Sequence, residues 1–315
     1  MAIAVTGATG LVGRHVVEAL SLRGGRRVIA TRHARPPYES IGTDWVQCDL
    51  RDPRAAMEAL HGAEIAVFCA GQVSTSAVLR RDPMSSVLDS LRIGTSMLEA
   101  AARLRLPKVV LISSCTGYPA RGDTVVEHDM NDGNPPAQWF GVGWMHRYLE
   151  KQLSWYVDHL RLIETATILR PTLVYGPYDD FSSDTGHFVP SLVRKVVERE
   201  SPIEVWGDGN QCRNLLYAAD LADAVVAVMT RAHQRLESFN VASPHDATIN
   251  EVLEHLIDID GFAEAMIVHD NSRSPGPGAL AVSGVALAEA TGWAARRTLR
   301  QGLAETVDWY RSSLS

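Results

Sequence analysis

Between residues 2 and 20 the chain passes from an apolar strand through a glycine turn into a helix, and few openings confine a fold so closely. Ala2 to Thr6 is a short apolar run, and Gly7, Ala8, Thr9 and Gly10 form the turn. Leu11, Val12, His15, Val16, Ala19 and Leu20 then recur at helical spacing. Gly7 permits the tight turn, Gly10 lets the backbone approach a pyrophosphate, and Gly13 lets the helix lie close to its strand. The helix N-terminus, at Leu11 and Val12, then faces the anion. A strand–turn–helix context of this kind predicts dinucleotide binding.

The second strand, RRVIATRH, ends in Thr31-Arg32-His33, where an NAD site usually carries an acidic residue for the ribose hydroxyls. Arg32, with His33 beside it, suits a 2′-phosphate instead, so NADP is expected ahead of NAD. The net charge of −7 argues against a nucleic-acid surface. No apolar run reaches membrane-spanning length, and a start almost on the first strand leads us to expect a cytoplasmic protein. Cys48, Cys69, Cys115 and Cys212 are widely spaced and show no metal-ligand pattern, so a reduced, disulfide-free chain is expected.

Strand and helix patterns alternate to about residue 175. Strands are expected at Trp45–Gln47, Glu64–Cys69, Lys108–Ser113 and Thr165–Leu169, and helices near Pro53–Leu60, Ser85–Arg103 and Gly141–Leu160. Such alternation means a parallel, doubly wound sheet covered on both faces. Beyond it, loops rich in Gly, Pro and Asp (GPYDDFSSDTG, WGDGNQ, SRSPGPG) separate shorter elements, which suits a smaller α/β substrate lobe. The expected division is 1–173 with a return segment at about 214–242 for the dinucleotide domain, and 174–213 with 243–315 for the lobe.

The segments TGATGLVG, CDLRD, LISSCTGYP, LRPTLVYGPYDD, GHFVPSLVRK and WGDGNQCRNLLYAADLADA occur in one order along nearly the whole chain. In this it resembles the extended short-chain dehydrogenases that act on nucleotide sugars, and among them the GDP-fucose synthase branch. The resemblance implies a Rossmann-like fold in which Asp49 and Leu50 flank the adenine and Cys69, Ala70 and Gly71 line the cofactor. It implies that Tyr175, within Tyr175-Gly176-Pro177, belongs to the substrate pocket and that Arg213 meets the sugar diphosphate. Leu173 stands where the family has a polar asparagine. The helices Ser85–Arg103 and Gly141–Leu160 correspond to a dimer interface, so a homodimer is implied.

The family's hydride-transfer machinery is a serine or threonine after the fifth strand, with a tyrosine and a lysine four residues apart on a helix. Ser113 or Ser114 supplies the first, whereas the other two fall on Phe140 and Trp144. Loss of a positioned acid costs about 10²–10⁴-fold, so ketone reduction is expected to be impaired. Tyr148 and Lys151 lie too far along the helix to replace them. A second pair is kept: Cys115 in SSCTGYP and His187 in GHFVP match the family's acid and base for inversion beside a 4-keto group, though Cys115 stands one residue further from Tyr118 than usual. Trp139, Trp144, Tyr148 and Trp155 read as a packing or subunit face. Asp179, Asp180 and Asp184 read as turn residues and no metal is expected. The expectation is a nucleotide-sugar epimerase working by proton transfer. A repurposed scaffold catalysing a non-redox dehydration, cyclisation or aldol-type step, and a non-catalytic dinucleotide-binding or partner-supporting protein, are the alternatives.

Overall fold

A computed structural model describes residues 2–72, 78, 82, 84–182, 186–230, 234–272 and 280–314. Seven parallel strands form the central sheet: β1 (Ala2–Thr6), β2 (Arg27–Arg32), β3 (Thr43–Gln47), β4 (Ile65–Phe68), β5 (Lys108–Ile112), β6 (Thr165–Pro171) and, returning late, β10 (Leu236–Val241). Their spatial order is β10-β6-β5-β4-β1-β2-β3. Every residue of β1 and of β4 is buried, as expected of central parallel strands covered on both faces. Chain order reverses between β1 and β4, so a crevice opens at their carboxyl ends, the place where open α/β sheets hold ligands.

On one face lie α2 (Pro53–Leu60), α3 (Ser85–Arg103) and α4 (Phe140–Ser154), whose apolar sides form a core with Phe68, Val109 and Ile168. On the other lie α1 (Leu11–Arg23) and α6 (Ala218–Thr230), packed over Ile3, Val5, Val67 and Val110. Asp52 starts α2 by accepting a hydrogen bond from the Arg54 N–H, with Pro53 in the first turn. The expected elements are therefore present, although α4 ends at Ser154 and continues only as a π-turn over Trp155–His159.

The lobe holds β7 (Leu173–Tyr175), β9 (Cys212–Tyr217) and β11 (Asp246–Thr248) in one small sheet, and β8 (Ile203–Trp206) beside β12 (Ile267–Asp270) in another. Helices α5 (Phe188–Val197), α7 (Ile249–Asp260) and α9 (Leu299–Leu314) close a separate core around Val193, Leu215, Leu253 and Leu303. One segment crosses the expected division. Leu287 of α8 (Val285–Thr291) and Trp293 pack into the core of the large sheet, and Trp293 Nε1 donates to the Asp220 carbonyl. Residues 285–293 thus buttress the large sheet although they follow most of the lobe in sequence.

Candidate active site

A cleft of about 1380 Å³ runs from the glycine turn, past the end of β5, to the lobe. Gly10, Leu11, Val12 and Gly13 line one end, facing Cys69, Ala70 and Gly71 at the end of β4. Thr6 holds these two strand ends together, because its hydroxyl oxygen accepts from the Cys69 and Ala70 N–H groups at 3.1 and 3.2 Å. Gly7 has φ +63° and donates to Thr31 Oγ1 at 3.0 Å. A Cβ on Gly13 would lie 2.3 Å from the Gly7 carbonyl oxygen. Gly10 caps α1 without any side-chain hydrogen bond, leaving the first-turn N–H groups to face the cleft. These features fit a pyrophosphate cradle. Gly13→Ala is accordingly expected to destabilise the fold by about 1–3 kcal/mol and to weaken dinucleotide binding. A thermal melt and a titration with NADP would check this, and unchanged values in both would contradict it.

Beyond the turn, Arg32 Nη2 donates to Gln47 Oε1 at 2.8 Å, and His33 Nε2 lies 3.9 Å from Asp49 Oδ2. Arg35, which the sequence reading passed over, donates to the Thr9 carbonyl at 3.2 Å. Arg32 and Arg35 thus gather positive charge beside the turn, with His33 next to them. Asp49 is held by Arg51, whose hydrogen bonds bring its carboxyl down to about 2. Leu50 is buried in the main core, and burial pushes the Cys69 thiol up to about 12.

Ser113 and Ser114 separate cleanly. The Ser113 hydroxyl donates to Glu150 Oε1 at 2.6 Å, within a buried network in which Arg170 grips Glu150 with Nε at 3.0 Å and Nη2 at 2.7 Å. Tyr118 joins it, accepting from Arg170 and donating to Asn240 Oδ1. Ser114, in contrast, is half-buried in the cleft wall, and its oxygen accepts from Thr116 N–H and Oγ1–H at 3.1 and 2.9 Å. Its own proton remains available to an acceptor in the cleft. Breaking the buried Glu150–Arg170 pair from one side should be costly, and Glu150→Gln is expected to remove about 3–5 kcal/mol of stability. Urea denaturation reads this directly.

Two expectations for the catalytic residues need correction. Cys115 borders the cleft, but its thiol is buried among Tyr118, Val125 and Met130 and donates to the Arg170 carbonyl at 3.1 Å. Burial pushes that thiol far above its ordinary range, so it stays protonated at neutral pH and is no base there. Phe140 and Trp144 point away from the cleft and are 50% and 43% exposed. The residues of α4 that line the cleft are Val142, Met145, His146 and Leu149. Val142 and His146 therefore form an i, i+4 pair on the cleft side, two residues further along than expected. Desolvation pulls the His146 imidazole down to about 4, with Glu150 opposing, so the ring is neutral at pH 7. Tyr148 and Lys151 are also exposed. Among the described residues, no tyrosine or lysine of α4 lines the cleft.

The aromatic series splits in the same way. Trp139 lines the cleft, whereas Phe140, Trp144, Tyr148 and Trp155 are exposed on the outward side. On the lobe side, His187 N-caps α5, lines the cleft and has Nδ1 3.7 Å from Asp179 Oδ1. Arg213 also lines it, with Arg194, Lys195 and Leu173. Tyr175 does not: it is buried in the lobe core, with its hydroxyl donating to the Leu299 carbonyl at 3.4 Å. Its expected place in the substrate pocket is thereby corrected. Asp184 lies outside the described residues, among which no cluster of His, Cys, Asp or Glu could hold a metal. All four cysteines are free thiols, and no described helix is long and apolar enough to cross a membrane.

A profile described as the NAD dependent epimerase/dehydratase family matches residues 3–242. The chain belongs to that family. Epimerase/dehydratase relatives include a probable GDP-L-fucose synthase 1 from Oryza sativa subsp. japonica, 28% identical over 97% of this chain and 90% of its own length. A GDP-L-colitose synthase from Yersinia pseudotuberculosis is 24% identical over 98% of each chain. Among solved structures, the UDP-glucose 4-epimerase of Thermotoga maritima with UDP-glucose superposes at a TM-score of 0.85, with 22% identity and complete coverage of both chains. That likeness establishes a shared fold. The family assignment leaves the chemistry to be argued from the cleft.

Proposed function

We propose that this epimerase/dehydratase relative binds NADP and a nucleotide sugar together and moves a proton, with no net hydride, at a carbon beside a 4-keto group. The observation that carries this reading is the make-up of the cleft wall. Ser114 and His187 face it, while the inward i, i+4 positions of α4 carry Val142 and His146 in place of the phenol and ammonium that a ketone reduction requires. A nicotinamide cofactor supplies or accepts hydride where such a pair is present. Here the glycine turn, Arg32, His33 and Arg35 hold the dinucleotide, and Arg213 with Arg194 meets the sugar diphosphate.

His187 takes the proton from the carbon next to the ketone, and the C–H electron pair moves into the ring to form an enolate. The Ser114 hydroxyl donates to the enolate oxygen, a charge that develops only during reaction and is therefore the one worth stabilising. A water in the cleft supplies the proton to the opposite face while His187 passes its own to solvent, which inverts the centre; return from His187 to the same face regenerates the substrate. Cofactor and substrate redox states are unchanged. Two copies of the chain pair through the outward stripe of α3 and α4, which keeps Phe140, Trp144 and Tyr148 from water. Calorimetry with NADP, NAD and GDP-, UDP- and dTDP-linked sugars tests the binding half of the proposal. NADP together with one sugar nucleotide is the expected result, and a cofactor without any sugar would favour a repurposed scaffold.

A further inference from the structure

We infer that Asp179 is a positioning residue for His187, holding a proton on Nδ1 so that Nε2 presents its lone pair to the cleft. This rests on the reading of His187 as the group that moves the proton. Asp179 follows the GPY turn, and its side chain is only 7% exposed. Oδ1 accepts from the Asp180 N–H at 2.8 Å and stands 3.7 Å from His187 Nδ1. Asp179 Oδ2 and His187 Nδ1 are both buried with no hydrogen-bond partner among the described residues. A buried carboxylate with a missing partner is costly, and the imidazole beside it is the group that would satisfy it. A small side-chain rotation closes the gap, as commonly happens when a site fills.

The backbone fixes this approach. Gly186 N–H donates to the Ser182 carbonyl, and a Cβ on Gly186 would lie 2.5 Å from the Asp180 carbonyl oxygen and 2.8 Å from that of Ser182. Asp180 and Ser182 are thus pressed against Gly186, bringing Asp179 to the start of α5. His187 in turn accepts from the Ser191 N–H through its carbonyl, as the N-cap of that helix. The His187 side chain is 34% exposed although Nδ1 is buried, so the accessible part of the ring is the edge away from Asp179. A carboxylate on one ring nitrogen selects the tautomer and leaves the other nitrogen basic.

The test is long-range proton–nitrogen correlation NMR of the full chain labelled with 15N at histidine, with the His187 signal assigned by its loss in His187→Asn. The expected result is an imidazole that carries its proton on Nδ1 in the native protein and reverts to the Nε2-protonated form in Asp179→Ala. Asp179→Ser serves if the alanine variant does not fold. An Nε2-protonated His187 in the native protein, or a tautomer unmoved by removing the carboxylate, overturns the inference. Deuterium uptake by a 4-keto sugar nucleotide should also fall roughly 10–100-fold in Asp179→Ala with KM unchanged. An Nδ1-protonated ring in a protein that exchanges no sugar proton would refute the proposed reaction and leave the dyad standing.

Discussion

Replacing His187 by asparagine is expected to lower solvent-deuterium incorporation into a 4-keto sugar nucleotide about 10²–10⁴-fold, the range for losing a positioned acid or base, with sugar-nucleotide binding retained. The asparagine can still cap α5, so the loss reads chemistry rather than folding. Cys115→Ala provides the contrast. Its thiol donates to the Arg170 carbonyl and packs against Tyr118, Val125 and Met130, so the variant should exchange near the native rate and show only a modest loss of stability. The reverse pattern, with Cys115→Ala inactive and His187→Asn active, would transfer the proton work to the thiol and contradict the burial argument.

The second large effect is a gain. Val142→Tyr combined with His146→Lys puts a phenol and an ammonium on the inward face of α4, opposite the Ser114 hydroxyl. NADPH-dependent reduction of the ketone is expected to rise about 10²–10⁴-fold, the contribution typical of a positioned acid. Val142 is buried in the main core, so the tyrosine brings about 1–3 kcal/mol of packing strain, and circular dichroism should confirm that the variant folds. Phe140→Tyr with Trp144→Lys is expected to change nothing in the cleft, because both positions are outward and about half exposed. Reduction in the outward variant and none in the inward one would overturn the register assigned to α4.

That register shows where sequence reading reached its limit. The glycine turn, the parallel alternation and the boundaries of most elements were legible, because strand burial and helical periodicity leave direct marks. On α4 two apolar stripes compete. Val142, Met145, Leu149 and Leu153 recur at core spacing, but Phe140, Trp144 and Tyr148 recur just as regularly on the opposite side. Motif spacing alone favoured the second. The decision is made by tertiary contacts far apart in the chain: Glu150 must face Arg170 and Ser113, and Arg147 must reach the Gly117 carbonyl. Those contacts turn His146 inward, a residue the sequence reading had no reason to select. Cys115 was misjudged for a related reason. The match to a motif said where it lay along the chain, whereas its thiol direction is set by the carbonyl of Arg170 at the end of the neighbouring strand.

Tyr175 and Asp179 make the same point on the lobe. Tyr175 ends β7 and turns into the lobe core, where Gly302 leaves room for its hydroxyl. Asp179 looked like one of several solvated turn acids, yet the fold buries its side chain beside His187. Arg35 escaped notice because it lies in an irregular segment, and only the folded turn brings it to the Thr9 carbonyl.

In the proposed reaction this cleft moves protons and leaves hydride in place. The most direct test follows one reaction in deuterium oxide, with purified protein, NADPH and a panel of GDP-, UDP- and dTDP-linked 4-keto sugars. Mass spectrometry of the sugar and NADPH absorbance are read together. Deuterium is expected to enter one of these sugars beside the ketone while NADPH stays constant; NADPH consumed in step with product, or no deuterium in any of the sugars, would overturn the proposed reaction.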